Sequence, residues 1–249
     1  MKNNQTTKYQ PVEIIELLKA FYNFQTVFDP EVDKGHELTF ETTIEDWRMI
    51  CDLLKPKELA SYYHEFFSLP TPKIELEEIL NNQKYNTLKD FCGYISKYAV
   101  KEKILPIKSL GHDCLDAALF KTLMSKLNKR GIDTSCIKPS SPFQPFFDNN
   151  LEAVMETANR LVPGSISTFI HEENKTTTLG WRVTIFGIAG AILISIFWKF
   201  NCLLLIPALI GIVYIKIGLN KGPKKYVIGG YETVGELIKA MKEKLNAVT

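Results

Sequence analysis

Two apolar runs, 183–198 and 202–215, dominate the hydropathy pattern, and Lys199 is the only formal charge from residue 183 to residue 215. One helix through the whole stretch would rise about 50 Å at ~1.5 Å per residue, well past a hydrocarbon core of roughly 30 Å. The pattern therefore predicts two helices, 178–198 and 201–219, separated by a very short turn. Arg182 and Lys216 would snorkel their charges to lipid headgroups. The expectation is a transmembrane helical hairpin over 179–219, anchored by Val183, Gly187, Gly190, Trp198, Pro207 and Gly211. Pro207 would kink the second helix, and the glycines would let the two backbones approach closely. The uncharged runs of 16 and 14 residues are short for full spans. A re-entrant hairpin that returns without crossing is the other reading.

The rest of the chain reads as helical. After a polar, flexible 1–10, Pro11 suits a first helical position, and Ile14, Ile15, Leu17, Leu18 and Phe21 recur at helical spacing. Thr42 or Thr43 opens a second helix with Ile44, Trp47, Ile50 and Leu54 on one face, and Pro56 ends it and starts a third carrying Leu59, Tyr62, Tyr63, Phe66 and Phe67. A short helix near 75–82 and one opened by Thr87 follow. Asp113 is placed to cap a helix of about 17 residues ended by Gly131. Residues 134–147 read as an irregular loop, 151–161 as a helix, and 166–178 as a linker. Thr233-Val-Gly-Glu236 matches a capping box opening a helix to about 246. Openings of the form Thr-apolar-x-acid recur at Thr43, Thr87 and Thr233, which shared capping chemistry explains without a repeat. The fold class expected is mainly α: a helical domain over 11–165, the linker, the hairpin, and a tail over 220–249 with one helix.

Charge sets the expected topology and partners. The net +2 conceals an asymmetry: residues 1–178 hold 21 Lys/Arg against 25 Asp/Glu, and 179–249 hold 9 against 3. Arg182 and Lys216, with Lys221, Lys224 and Lys225, are the residues expected at lipid headgroups. The positive-inside bias then puts both termini in the cytoplasm of a multi-pass inner-membrane protein. A mildly acidic large domain argues against nucleic acid as a partner. Five dispersed cysteines suit reduced thiols, and no apolar run near the N-terminus suggests a cleavable signal.

Chemistry-bearing motifs are sparse. His112 and Cys114 form the only close pair, at the start of a helix, where a thiol is a physically reasonable nucleophile or redox sensor, although Asp113 and Asp116 favour its protonated form. The histidines are otherwise scattered, and no phosphate loop or hydrolase signature appears, so no metal and no cofactor is expected. The stretch Leu110-Gly-His-Asp113-Cys114-Leu115-Asp116 resembles the motif of acyl carrier proteins, and Thr233-Val-Gly-Glu-Leu-Ile-Lys-Ala-Met-Lys-Glu-Lys-Leu245 resembles their last helix. Over 110–133 and 233–245 the resemblance implies a carrier-like helical module. Cys114 stands where the family carries phosphopantetheine on serine, which puts prosthetic-group attachment in doubt. Residues 38–47, Leu-Thr-Phe-Glu-Thr-Thr-Ile-Glu-Asp-Trp, look like a segment of uncharacterised bacterial membrane-anchored proteins, a resemblance that implies no activity.

The reading that follows is a membrane-anchored, non-enzymatic adaptor or regulator. It would act by protein–protein contact, with a lipid bilayer and an unidentified protein as partners and self-association open. Phe143, Phe146 and Phe147, in the proline-rich loop, are the expected partner-facing residues, with a role in capping the core as the alternative. The competing function is an enzyme or thiol sensor built on Cys114 and His112.

Overall fold

The computed structural model describes residues 5–29, 31–109, 112–172, 175–197, 206–220 and 225–248, and it divides into two compact units, residues 1–169 with 228–249, and residues 170–227. The first unit begins with strand β1 (Thr6–Lys8) and helices α1 (Pro11–Phe28), α2 (Ile44–Ile50), α3 (Pro56–Phe66), α4 (Lys73–Asn81) and α5 (Leu88–Tyr98). Strands β2 (Val100–Glu102), β3 (Ile107–Ser109) and β4 (His112–Cys114) lead to α6 (Leu115–Lys129), α7 (Phe143–Asp148) and α8 (Leu151–Leu161). The second unit holds most of β5 (Phe169–Glu172) and β6 (Lys225–Ile228), with α9 (Lys175–Phe197) and α10 (Ile206–Asn220). Helix α11 (Val234–Val248) returns to the first unit. Among the described residues each of the three sheets is a single pair, β1 with β2, β3 with β4, and β5 with β6.

Capping chemistry places most helix starts where the sequence puts them. The Thr43 hydroxyl accepts from the Asp46 amide at 3.0 Å, the Thr87 amide donates to Asp90 Oδ2 at 2.9 Å, and the Thr233 hydroxyl accepts from the Glu236 amide at 3.3 Å. At α6 the cap is displaced by one residue. Cys114, the last residue of β4, is the N-cap, its Sγ accepting from Ala117 N–H at 3.4 Å, and the helix begins only at Leu115, which leaves Asp113 one residue outside the cap position. Gly131, with φ +85°, takes the left-handed position that ends this helix.

The first unit contains two apolar cores built on one plan. The first gathers Ile14, Leu18, Trp47, Leu59, Tyr63, Leu80 and Phe91, from α1 to α5. The second gathers Leu119, Leu123, Phe143, Phe147, Val154, Ala158, Leu237 and Met241, from α6, α7, α8 and α11. In the first half Ile44 N–H donates to Asn86 O at 3.0 Å, Leu88 N–H to Thr42 O at 2.8 Å and Lys89 N–H to Phe40 O at 3.0 Å. In the second half Phe143 N–H donates to Glu232 O at 2.9 Å, Val234 N–H to Ser141 O at 3.0 Å and Gly235 N–H to Pro139 O at 2.7 Å. The offsets are constant, 44 to 143 with 42 to 141, and 86 to 232 with 88 to 234. An isolated antiparallel bridge marks the same place in each half, Thr43 with Thr87 and Pro142 with Thr233. Both closing helices open on Tyr-x-Thr, Tyr85-Asn-Thr87 and Tyr231-Glu-Thr233. The recurrent threonine caps thus belong to a duplicated helical plan, which capping alone did not reveal. Between its third and closing helices the first half has α4, whereas the second has the long segment that contains α9 and α10.

The structure corrects the transmembrane hairpin, and with it the membrane assignment and the multi-pass inner-membrane localisation. Among the described residues no helix is long and apolar enough to cross a membrane. Helix α10 has 15 residues, a rise of about 22 Å. Helix α9 has 23, but it begins Lys-Thr-Thr-Thr and carries Arg182, so the uncharged part that the structure describes, 183–197, also rises about 22 Å. Both fall short of the roughly 30 Å of a hydrocarbon core. Two further expectations shift. The loop over 134–147 contains the start of α7, and the linker over 166–178 contains β5 and the first turn of α9.

Candidate functional site

The α9–α10 pair has an inverted distribution of side chains. Gly180, Thr184, Gly187 and Ala191 repeat at spacings of four and three along one face of α9, and Ala208, Gly211 and Ile215 do so along α10. These faces meet in antiparallel register. A Cβ placed on Gly180 would sit 2.6 Å from the backbone nitrogen of Ile215, and one on Gly187 would sit 2.7 Å from that of Ala208. Thr184 is buried at this seam, its hydroxyl donating to Gly180 O at 2.9 Å, while Ala191 and Ala208 are also buried. Small side chains let the backbones close in, so the contact is made by main chain and methyl groups.

The large apolar side chains point the other way. Trp181, Ile185, Phe186 and Ile192 on α9 are 55–75% exposed, and Leu209, Ile212 and Val213 on α10 are 51–59% exposed. A helix pair stabilised by its own core would place such residues between its helices and polar ones outside. Here the polar residues lie toward the ends, with Arg182 and Lys216 both exposed, and neither helix contains an acidic residue. Val183, Gly187 and Gly190 are half-buried and Pro207 is exposed. Trp198, Lys221 and Lys224 lie outside the described residues, and Lys225 is the first residue of β6.

The other sequence candidates fare differently. Phe143, Phe146 and Phe147 are not partner-facing: Phe143 and Phe147 are fully buried and Phe146 is 9% exposed. Pro142 at the N-cap starts α7 and turns all three rings into the second core, where Phe143 lies 5.4 Å from Phe147 and 5.8 Å from Tyr231. His112 is exposed on β4, paired in the ladder with Ser109, and Cys114 is half-buried opposite Ile107. The thiol is occupied as the cap of α6. Among the described residues no group of three His, Cys, Asp or Glu side chains could hold a metal ion. The two carrier-like stretches do come together, α6 packing on α11 with Lys242 Nζ 3.1 Å from Asp116 Oδ2.

Hydropathy located the helical pair, but not the inversion, which has a signal in the sequence. Gly180, Gly187 and Ala191 share one face of α9, and Ala208 and Gly211 one face of α10, at heptad-like spacing, while most large residues lie off these faces. No protein-family profile matches this chain, and neither the curated proteins nor the solved structures contain a match to it.

Proposed function

We propose that the chain is a non-enzymatic adaptor acting by protein–protein contact, with the α9–α10 pair as its docking element. The observation that supports this reading is the inverted pair. Large apolar side chains on both helices are exposed, and surface of this kind lowers its free energy in water only when it is covered. A standard interface removes about 800 Å² per partner, a scale that the outward faces of two such helices can supply. The described apolar stretches, about 22 Å in α9 after Arg182 and about 15 Å in α10 before Lys216, suit a protein surface with a polar rim. A second copy of this chain offers a matching face without any further component.

Sedimentation velocity tests this reading. The full chain is expected to self-associate, and the double variant Ile185→Glu with Ile210→Glu is expected to sediment as a folded monomer with unchanged far-UV circular dichroism. A wild-type chain that stays monomeric and floats with lipid vesicles would overturn protein contact in favour of a lipid surface.

A further inference from the structure

We propose that the first unit carries a binding site for a small apolar molecule bearing a protonated amine, in a cleft between its two halves. The cleft has a volume of about 290 Å³ and is framed by α1, by α2 with the loop that follows it, by α3 and by α8. The cleft lies where the two duplicated cores meet, since Trp47 and Tyr63 belong to the first, Met155 to the second, and Phe21 packs against both. Junctions between structural halves are favoured places for small-molecule sites, and the volume is near the lower end of their range, roughly 300 Å³. That size suits one ring and a short chain.

The chemistry of the walls selects the ligand. Phe21, Trp47, Tyr62 and Tyr63 line the cleft, and their ring faces attract both a flat apolar group and a cation. The charged side chains that line it are Asp52, Glu152 and Glu156, with no lysine or arginine among the lining residues. Glu156 is already neutralised, with Arg130 at 2.7 Å and Arg160 at 3.5 Å. Asp52 and Glu152 are exposed, and no ion pair to either is found among the described residues. With Arg130 and Arg160 counted, the three carboxylates leave a net charge of −1, and two exposed carboxylates at the rim of an aromatic recess complement a ligand with an ammonium at one end and a ring at the other. Asp52 is held there by backbone geometry. It has φ +44°, the left-handed position after α2, which an aspartate tolerates.

Calorimetric titration of the full chain with 2-phenylethylamine and with its uncharged counterpart 2-phenylethanol tests the site. At neutral pH the amine is expected to bind about tenfold or more tightly than the alcohol, the ammonium adding its attraction to carboxylates and rings. The double variant Asp52→Asn with Glu152→Gln keeps the left-handed turn and the helix. It is expected to lower the amine's affinity to that of the alcohol and to leave the alcohol's unchanged. In a chain with Trp181→Phe and Trp198→Phe, saturation with the amine is expected to shift the fluorescence of Trp47. Equal affinities for the two probes, an amine affinity untouched by the double variant, or no binding at millimolar concentration would each overturn the proposal.

Discussion

Trp47 shows how much of this protein is decided one side chain at a time. It is almost completely buried, with ring centroids 5.3 Å from Phe91 and 5.8 Å from Tyr63, and so ties three helices of the first core together. Cysteines show the complementary effect of burial on chemistry. Cys51 and Cys92 lie in that core, and burial pushes both thiols up to about 12. Cys136 is exposed, and Cys114 is half-buried with its sulfur engaged at the start of α6. Cys202 lies outside the described residues. In a Cys202→Ser background at neutral pH, an aromatic disulfide reagent is therefore expected to modify Cys136 rapidly and Cys114 more slowly, with Cys51 and Cys92 reacting only on addition of denaturant. Rapid modification of all four in the folded state would contradict the burial of the first core.

At the scale of elements, the helical pair rests on where its glycines fall. Gly187 faces Ala208 at the seam, while a Cβ on Gly190, one turn along, would meet nothing within 4 Å. The two substitutions are therefore expected to differ. With spin labels at Leu179→Cys and Ile217→Cys, Gly187→Leu should push the helices apart by about 1–2 Å, since interaxial distance follows the side chains at the contact. Gly190→Leu should leave the distance unchanged. Equal responses would show that the seam is not where the small residues are. The caps act at the same scale. Thr43, Thr87 and Thr233 each begin a helix, and at Thr87 and Thr233 the backbone next to the cap also holds the opposing segment of its half. Capping and tertiary pairing thus coincide at the points where each half closes on itself.

In the first unit as a whole, the two halves are held together by hydrogen bonds from buried or half-buried polar groups. The Tyr9 hydroxyl donates to Arg160 O at 2.8 Å, Arg160 Nη2 donates to Phe66 O at 2.6 Å, and Asn23 Nδ2 donates to Ser167 O at 2.8 Å. Burial pushes the Tyr9 hydroxyl up to about 12 from 10.0, only partly offset by Arg160. Cys51 and Cys92 move from 9.0 to about 12 in the same direction. A folded-state pKa above the unfolded one means that the native state holds its proton more tightly. The associated stability is complete below the unfolded value and is lost as pH climbs toward the folded one. The urea midpoint is accordingly expected to show no fall from these groups up to about pH 9 and to drop between pH 9 and 12. Tyr9→Phe should remove part of that drop, at a cost of about 1 kcal/mol at neutral pH from the lost hydrogen bond. A midpoint that stays flat to pH 12 would contradict it.

What the sequence determined by itself was local. The spacing of Ile14, Leu17, Leu18 and Phe21 and the Thr-x-x-acid openings predicted most helices of the first unit to within a few residues. Two apolar helices in succession were equally plain at 183–215. Periodicity and capping act within a turn or two of helix, so a single chain carries them openly. What only the tertiary structure decided depends on partners far away in the chain. The α7 phenylalanines read as exposed because nothing near them in sequence shows Tyr231, whose ring lies 5.8 Å from Phe143, or the rest of the second core they join. Cys114 rather than Asp113 became the cap because the β3–β4 ladder keeps the chain extended through Cys114 and the helix starts at Leu115. The duplication was hidden because its signature is a set of backbone hydrogen bonds that tolerate many side chains. Hydropathy over 33 residues suggested a membrane-crossing hairpin, whereas among the described residues no helix is long and apolar enough to cross a membrane. The inversion of that pair was fixed by which face met which, and burial of one face against another is a property of the folded chain.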